Sequence, residues 1–176
     1  MFELAGVAVP DSPLIRAALD FARKHSSDMT YNHVVRSWVH AVLVCQRDPR
    51  LSSVDTEIVA VAALLHDLAW DCAGHPEFVS KDKRFEVDGA EAAREFLREQ
   101  APEWSAQKMQ LVWDAIALHT TPSIATYKEP EVRAVSAGIS CDILGSGVVG
   151  GHLSSEEIAA IADKVPRLGL KEGLKR

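Results

Sequence analysis

Residues 58 to 65 read IVAVAALL, eight apolar side chains without a break, and they run directly into the doublet His66-Asp67. At about 3.6 residues per turn such a run covers every face of two helical turns, so the segment has no side to offer water and belongs at the centre of a bundle. The doublet then raises a problem. An ionised carboxylate carried into those surroundings costs several kcal/mol unless a partner charge and hydrogen bonds replace the lost water, and no lysine or arginine lies within a turn of Asp67 on either side.

Helical punctuation recurs along the rest of the chain, and no stretch alternates as a half-buried strand would. A first helix is expected from Pro13, capped by Asp11 or Ser12, to about His25. A second fits Tyr31 to Arg47 with Thr30 as cap and Pro49 beyond its end. Ser52 and Asp55 have capping-box spacing and open the central helix, which should extend to about Trp70. Further helices are expected over Val87–Gln100, Ser105–His119, Pro130–Leu144 stopped by Gly145, and from Ser154, with Glu157 three residues on, to a point before Pro166. The fold class is therefore all-α, a compact bundle of about six to eight helices. At 176 residues it forms a single domain. Between the third and fourth helices, DCAGHPEFVSKDKR is longer than most connections in compact domains, which marks it as a candidate binding loop or lid.

Several classes of function fall away. The net charge of −6 and the absence of a basic stripe give nucleic acid no footprint. The longest apolar run is too short to cross a bilayer, and the start MFELAGVAVPDSP lacks the basic lead and apolar stretch of a secretory signal, so a cytoplasmic location is expected. Cys45, Cys72 and Cys141 are odd in number and form no C-x-x-C pair. They read as small buried side chains in a reducing compartment rather than a disulfide framework or a thiolate zinc site.

Other segments repeat the conflict seen at Asp67. In YNHVVRSWVHAVLV, His33 and His40 are seven apart and share a face with Ser37, while Val35, Trp38, Val39 and Val42 provide the core stripe. AVSAGISCDILG is uncharged except for Asp142, and WDAIALHTT brings His119 out of another apolar run. A divalent cation resolves these together, because imidazole nitrogen and carboxylate oxygen suit zinc, iron, manganese, cobalt or nickel. Adjacent residues on a helix point about 100° apart, so His66 and Asp67 both reach one ion only near the helix end.

The ordered series His33, His66-Asp67 and Asp142 on separate helices resembles the HD superfamily of metal-dependent hydrolases, over roughly residues 30 to 145. Within it, NHVVRSWVHA, LLHDLAW, RFEVDGAEAAREFL and WDAIALHTT look most like the cyanamide hydratase branch. The resemblance implies His33, His66, Asp67 and Asp142 as ligands of one divalent transition metal, with zinc favoured. HD proteins with two metals tend to carry a histidine four residues before the glycine of the fourth helix, where this chain has Phe85 ahead of Gly89. A second ion would have to draw on His119, His75, Glu86 or Asp88, and one metal is expected.

The chemistry so implied is attack by metal-activated water on a small-molecule substrate. For hydration of a nitrile such as cyanamide, a nearby acid must protonate the developing nitrogen anion; His119 is the first candidate, with Asp71, Glu86 and Asp88 behind it. For phosphoester hydrolysis, Arg36, Lys81, Lys83 and Arg84 are the candidate phosphate binders. The third possibility is a metal-stabilised binding module without turnover. A small, neutral, apolar pocket, which Trp70 beside the doublet is placed to wall, favours the nitrile; a wide pocket rimmed by basic groups favours the phosphoester.

Overall fold

The computed structural model describes residues 1–70, 76–147 and 153–170. Among these the chain forms a short hairpin, β1 (Phe2–Leu4) and β2 (Val7–Val9), followed by α1 (Pro13–Lys24), α2 (Asp28–Arg47), α3 (Thr56–Leu65), α4 (Phe85–Gln100), α5 (Ala106–Ala117), α6 (Pro122–Ala125), α7 (Pro130–Leu144) and α8 (Ser155–Lys164). The all-α expectation holds. The hairpin is the exception, pairing Phe2 with Val9 and Leu4 with Val7 across Ala5 and Gly6, both at positive φ. Three residues per strand are too few for a periodicity to show.

Helix starts follow their hydroxyl and carboxylate caps. Ser12, Ser105 and Ser154 accept the expected backbone N–H groups, and Ser154 and Glu157 form a complete capping box. Two caps differ from expectation. Ser27, not Thr30, opens α2, and Asp55, not Ser52, opens α3 by accepting from Glu57 and Ile58. Ser52 instead donates to Pro49 O in a short 3-10 turn. The four-residue α6 was not expected.

The largest departure lies at the end of α3, which stops at Leu65, five residues before Trp70. His66 bonds its ring Nδ1 to Ala63 O, and the chain tightens into turns closed by Leu68 N–H on Leu65 O and Trp70 N–H on Asp67 O. That early stop puts the doublet in the turn at the helix end, where His66 Nε2 and Asp67 Oδ2 come within 3.4 Å of each other. Every residue from Ile58 to Leu65 is buried, with α1, α2, α4, α5 and α7 packed around them. No described helix is long and apolar enough to cross a membrane.

His40, fully buried on α2, has neither ring nitrogen hydrogen-bonded among the described residues. Burial lowers its pKa to about 4; Asp142 opposes the shift, and Arg36, Arg167 and His33 add to it. The folded state thus binds this proton less readily than the unfolded chain, whose histidines titrate near 6.5. Stability from the neutral ring is complete above that value and is lost as pH falls toward 4, by up to about 3 kcal/mol. Urea midpoints measured from pH 7 to 4.5 should fall accordingly, and His40→Leu should flatten the curve. Equal slopes for the two proteins would contradict the assignment.

Candidate metal centre

Three elements meet at the carboxyl end of α3. α2 contributes His33, the turn after α3 contributes His66 and Asp67, and the turn after α5 contributes His119, all of them buried. His33 Nε2 lies 3.2 Å from His66 Nε2, and Asp67 Oδ2 lies 3.6 Å from the first and 3.4 Å from the second. The other carboxylate oxygen, Asp67 Oδ1, lies 3.4 Å from His119 Nε2.

The outward side of each imidazole fixes what its inward side can do. Nδ1 of His33, His66 and His119 sits 2.7, 2.8 and 2.6 Å from Asp142 Oδ2, Ala63 O and Ile116 O, respectively. Those oxygens only accept, so Nδ1 carries the hydrogen and Nε2 of the neutral ring presents a lone pair. Three lone pairs and a carboxylate therefore converge with no hydrogen between them, an arrangement that repels itself until positive charge enters. Donors at about 2.0–2.1 Å from one ion stand about 2.8–3.4 Å apart in octahedral or tetrahedral arrays. His33 Nε2, His66 Nε2 and Asp67 Oδ2 come close to that spacing and form a group able to hold a metal ion. Burial would raise the pKa of Asp67, but His66, His119 and His33 outweigh it when protonated and hold the carboxyl well below its ordinary range, while the same carboxylate raises the pKa of His66 against its burial, so the group draws in positive charge, as a proton or as a metal ion. The donor is charged at neutral pH.

A cavity of about 350 Å³ opens against this triangle, touching His33, Asp67 and His119. Trp70, Phe85, Pro122, Ile139, Ile143 and Leu144 give it apolar walls, while Arg84, Glu86, Thr120 and Ser140 are its remaining polar lining. Glu86 is itself buried and accepts from Arg84 and Thr120. Burial pushes its pKa up, but these hydrogen bonds prevail and bring it to about 2. The Phe85 ring stacks edge-on to both Trp70 and His119, at 5.1 and 5.5 Å.

The family model for the HD domain matches residues 30–167, most of the chain. The chain belongs to the HD-domain family. Members are in general metal-dependent hydrolases, and the buried donors of this HD domain fit such a metal. No curated protein matches the chain.

Against the expected site, the HD domain brings together His33, His66, Asp67 and His119, and places Trp70, Arg84 and Glu86 on the adjoining cavity. Asp142 lies outside this triangle. Both its oxygens are turned to Arg36, Nε on Oδ1 and Nη2 on Oδ2 at 2.8 Å each, and it meets His33 on the Nδ1 side, across the ring from the triangle. Arg36 is correspondingly fully buried and not a phosphate binder at the cavity. Lys81 and Lys83 are exposed and do not line the cavity. Asp88 accepts from Ser80 N and Oγ, which ties down the approach to α4 and leaves it outside the cavity. Glu86, held ionised, has no proton to give at neutral pH and cannot be the acid. Asp71 and His75 lie outside the described residues. Sequence reasoning missed Thr120, next to a histidine it did single out, and Arg167, which donates to Asp142 O at 2.6 Å from a segment with no local signal.

Proposed function

We propose that this HD domain is a metal-dependent hydrolase or hydratase acting on a small uncharged molecule, with a nitrile of the cyanamide type as the substrate class best suited to its pocket. The observation that carries the reading is the pocket's charge. Its one lining cation among the described residues, Arg84, is already paired with Glu86, so no unpaired lining side chain adds to the ion in holding a phosphate dianion. The walls are apolar and the volume suits a small ligand. Two imidazoles and one carboxylate beside an open cavity form the donor set of a catalytic rather than a closed structural site, which favours turnover over a binding module; the set suits iron, manganese, cobalt and nickel as well as zinc, the ion proposed here.

An ion held by His33, His66 and Asp67 supplies Lewis acidity and activates water. Hydration of a nitrile adds the water oxygen to carbon and a proton to nitrogen. His119 borders the cavity with Nδ1 fixed on Ile116 O, so Nε2 is the atom that would take a proton from the attacking water and pass it to the substrate nitrogen, and Asp67 Oδ1 would stabilise the imidazolium between the two transfers. Glu86, ionised and anchored by Arg84 and Thr120, is suited to orient an N–H group of the product. Phe85, at the position where a histidine would serve a second ion, packs edge-on against His119 at 5.5 Å, which supports one ion per chain.

Elemental analysis of protein purified without added metal should find one divalent ion per chain. The loaded protein should then be offered cyanamide, small nitriles, nucleoside monophosphates and cyclic nucleotides. Metal-dependent urea release is the expected result; phosphate release with the same metal dependence would replace the nitrile reading with a phosphohydrolase.

A further inference from the structure

Among the described residues, the cavity beside the triangle is larger than cyanamide requires. At a liquid-like share of about 30 Å³ per non-hydrogen atom, its volume of about 350 Å³ accommodates about eleven atoms, and the three of cyanamide fill about a quarter of it. The walls around the remaining room are mainly apolar. Ile139, Ile143 and Leu144 lie on one face of α7, where Ser140 is the only polar lining residue. That face leads from the interior to the surface, since Ile139 is 5% exposed, Ile143 half-buried and Leu144 57% exposed. Trp70 and Phe85, both half-buried, add two rings in edge-on contact. The other polar groups gather beside His119, where Thr120, the next residue, donates to Glu86, which also holds Arg84.

Resting on the hydratase reading above, we infer that the substrate is a nitrile carrying an aryl group, with its cyano end at His33, Asp67 and His119 and its ring against Trp70, Phe85 and Ile143. Phenylcyanamide, with nine non-hydrogen atoms, takes about 270 Å³ on the same scale and leaves room for the attacking water. Cyanamide alone leaves the apolar walls facing water, whereas burying a phenylalanine-sized ring strengthens binding about ten- to a hundredfold. Aromatic neighbours favour an aryl over an alkyl group, because edge-on ring pairs add to what burial alone supplies. In the hydration the water oxygen bonds to the nitrile carbon, both water protons end on the nitrile nitrogen, and no bond to the ring breaks. The ring is therefore held alike before and after reaction, so it lowers KM and leaves kcat nearly unchanged.

Titration calorimetry on the full chain, metal-free and zinc-loaded, reads the ring's contribution without turnover when the ligands are phenylurea and urea, the products of the two hydrations. Phenylurea should bind about ten- to a hundredfold more tightly than urea in both forms, and affinities within about twofold of each other overturn the inference. In the zinc-loaded chain, KM for phenylcyanamide should lie below that for cyanamide by the same factor. Turnover of cyanamide but not of phenylcyanamide overturns the inference and leaves the hydratase reading standing. Hydration of neither nitrile overturns the hydratase reading, and with it the assignment of the ring to a substrate, even if phenylurea binds. Ile143→Phe, which puts a ring of the protein's own into the space, should weaken phenylurea binding about tenfold or more. An unchanged affinity in that variant means that phenylurea binds elsewhere on the protein and overturns the inference. Should Ile143→Phe not fold, a crystal structure of the parent with phenylurea decides. A ring within about 4.5 Å of both Trp70 and Ile143 supports the inference, and a ring outside the cavity refutes it.

Discussion

Asp67→Asn is expected to lower the affinity for a divalent metal by about a hundred- to a thousandfold and to abolish metal-dependent turnover, while the metal-free protein stays folded. Apparent binding free energies of about 10–16 kcal/mol for four-donor zinc sites correspond to about 2.5–4 kcal/mol per donor, hence that factor. Asp67 is also the one charged donor of the triangle, so its loss removes the Coulomb attraction along with a bond. The metal-free fold has little to lose. Its carboxylate faces imidazole lone pairs, and the amide N–H of asparagine offers those nitrogens a donor they otherwise lack. Thermal melts read this directly. At a metal concentration about a hundred times the parent's Kd, linkage stabilises the parent by about 2.7 kcal/mol, a rise of about 5–10 °C for a chain of this size. The variant, near or below half-saturation, should rise by no more than about 1–2 °C. An undiminished rise in Asp67→Asn would show that metal binds somewhere other than the triangle.

What the sequence discloses and what it withholds divide along physical lines. The buried helix and its terminal doublet are legible because an uninterrupted apolar run has only one place to go, and a carboxylate at its end needs a positive partner. The α1, α5, α7 and α8 boundaries are legible because caps and stops such as Ser12, Ser105, Gly145 and the Ser154–Glu157 pair act within a few residues of themselves. The end of α3 carries no glycine or proline, and only His66 reaching back to Ala63 O marks it, a bond visible once the ring is placed. Arg36 has the most to teach. Its spacing suits a solvent-facing cation, yet it is fully buried because a carboxylate 106 positions later in the chain meets both arms of its guanidinium. The same distance in sequence hid the contacts of Asp142 with Arg36. Arg167 was beyond reach for a related reason: nothing near it in sequence shows that α8 returns the chain to Asp142.

Gly138→Ala should be the most damaging single-methyl change in the protein, costing about 3–5 kcal/mol and lowering the melting temperature by about 6–20 °C. α2 and α7 cross at this residue in backbone contact. A Cβ built on Gly138 would overlap Ser37 O and come within 2.7 Å of both Ala41 N and Ala41 Cβ. Overpacking in a core typically costs about 1–3 kcal/mol, because a side chain can usually turn aside. Here the obstacles are main-chain atoms of a regular helix, and relief requires the helices to separate. Separation has a chemical consequence, because Asp142 lies one turn beyond Gly138 on α7, and its partners His33 and Arg36 lie on α2. Drawing α7 away lengthens both contacts and loosens the histidine that faces the ion. Metal affinity should therefore fall together with stability in Gly138→Ala, whereas a comparable loss of stability far from the crossing, as in Leu97→Ala on α4, should leave affinity nearly unchanged in the folded fraction. Calorimetric metal titrations of the two variants at a temperature where both remain folded separate the cases. Equal affinities would mean that the α2–α7 contact holds the fold without setting the geometry of the site.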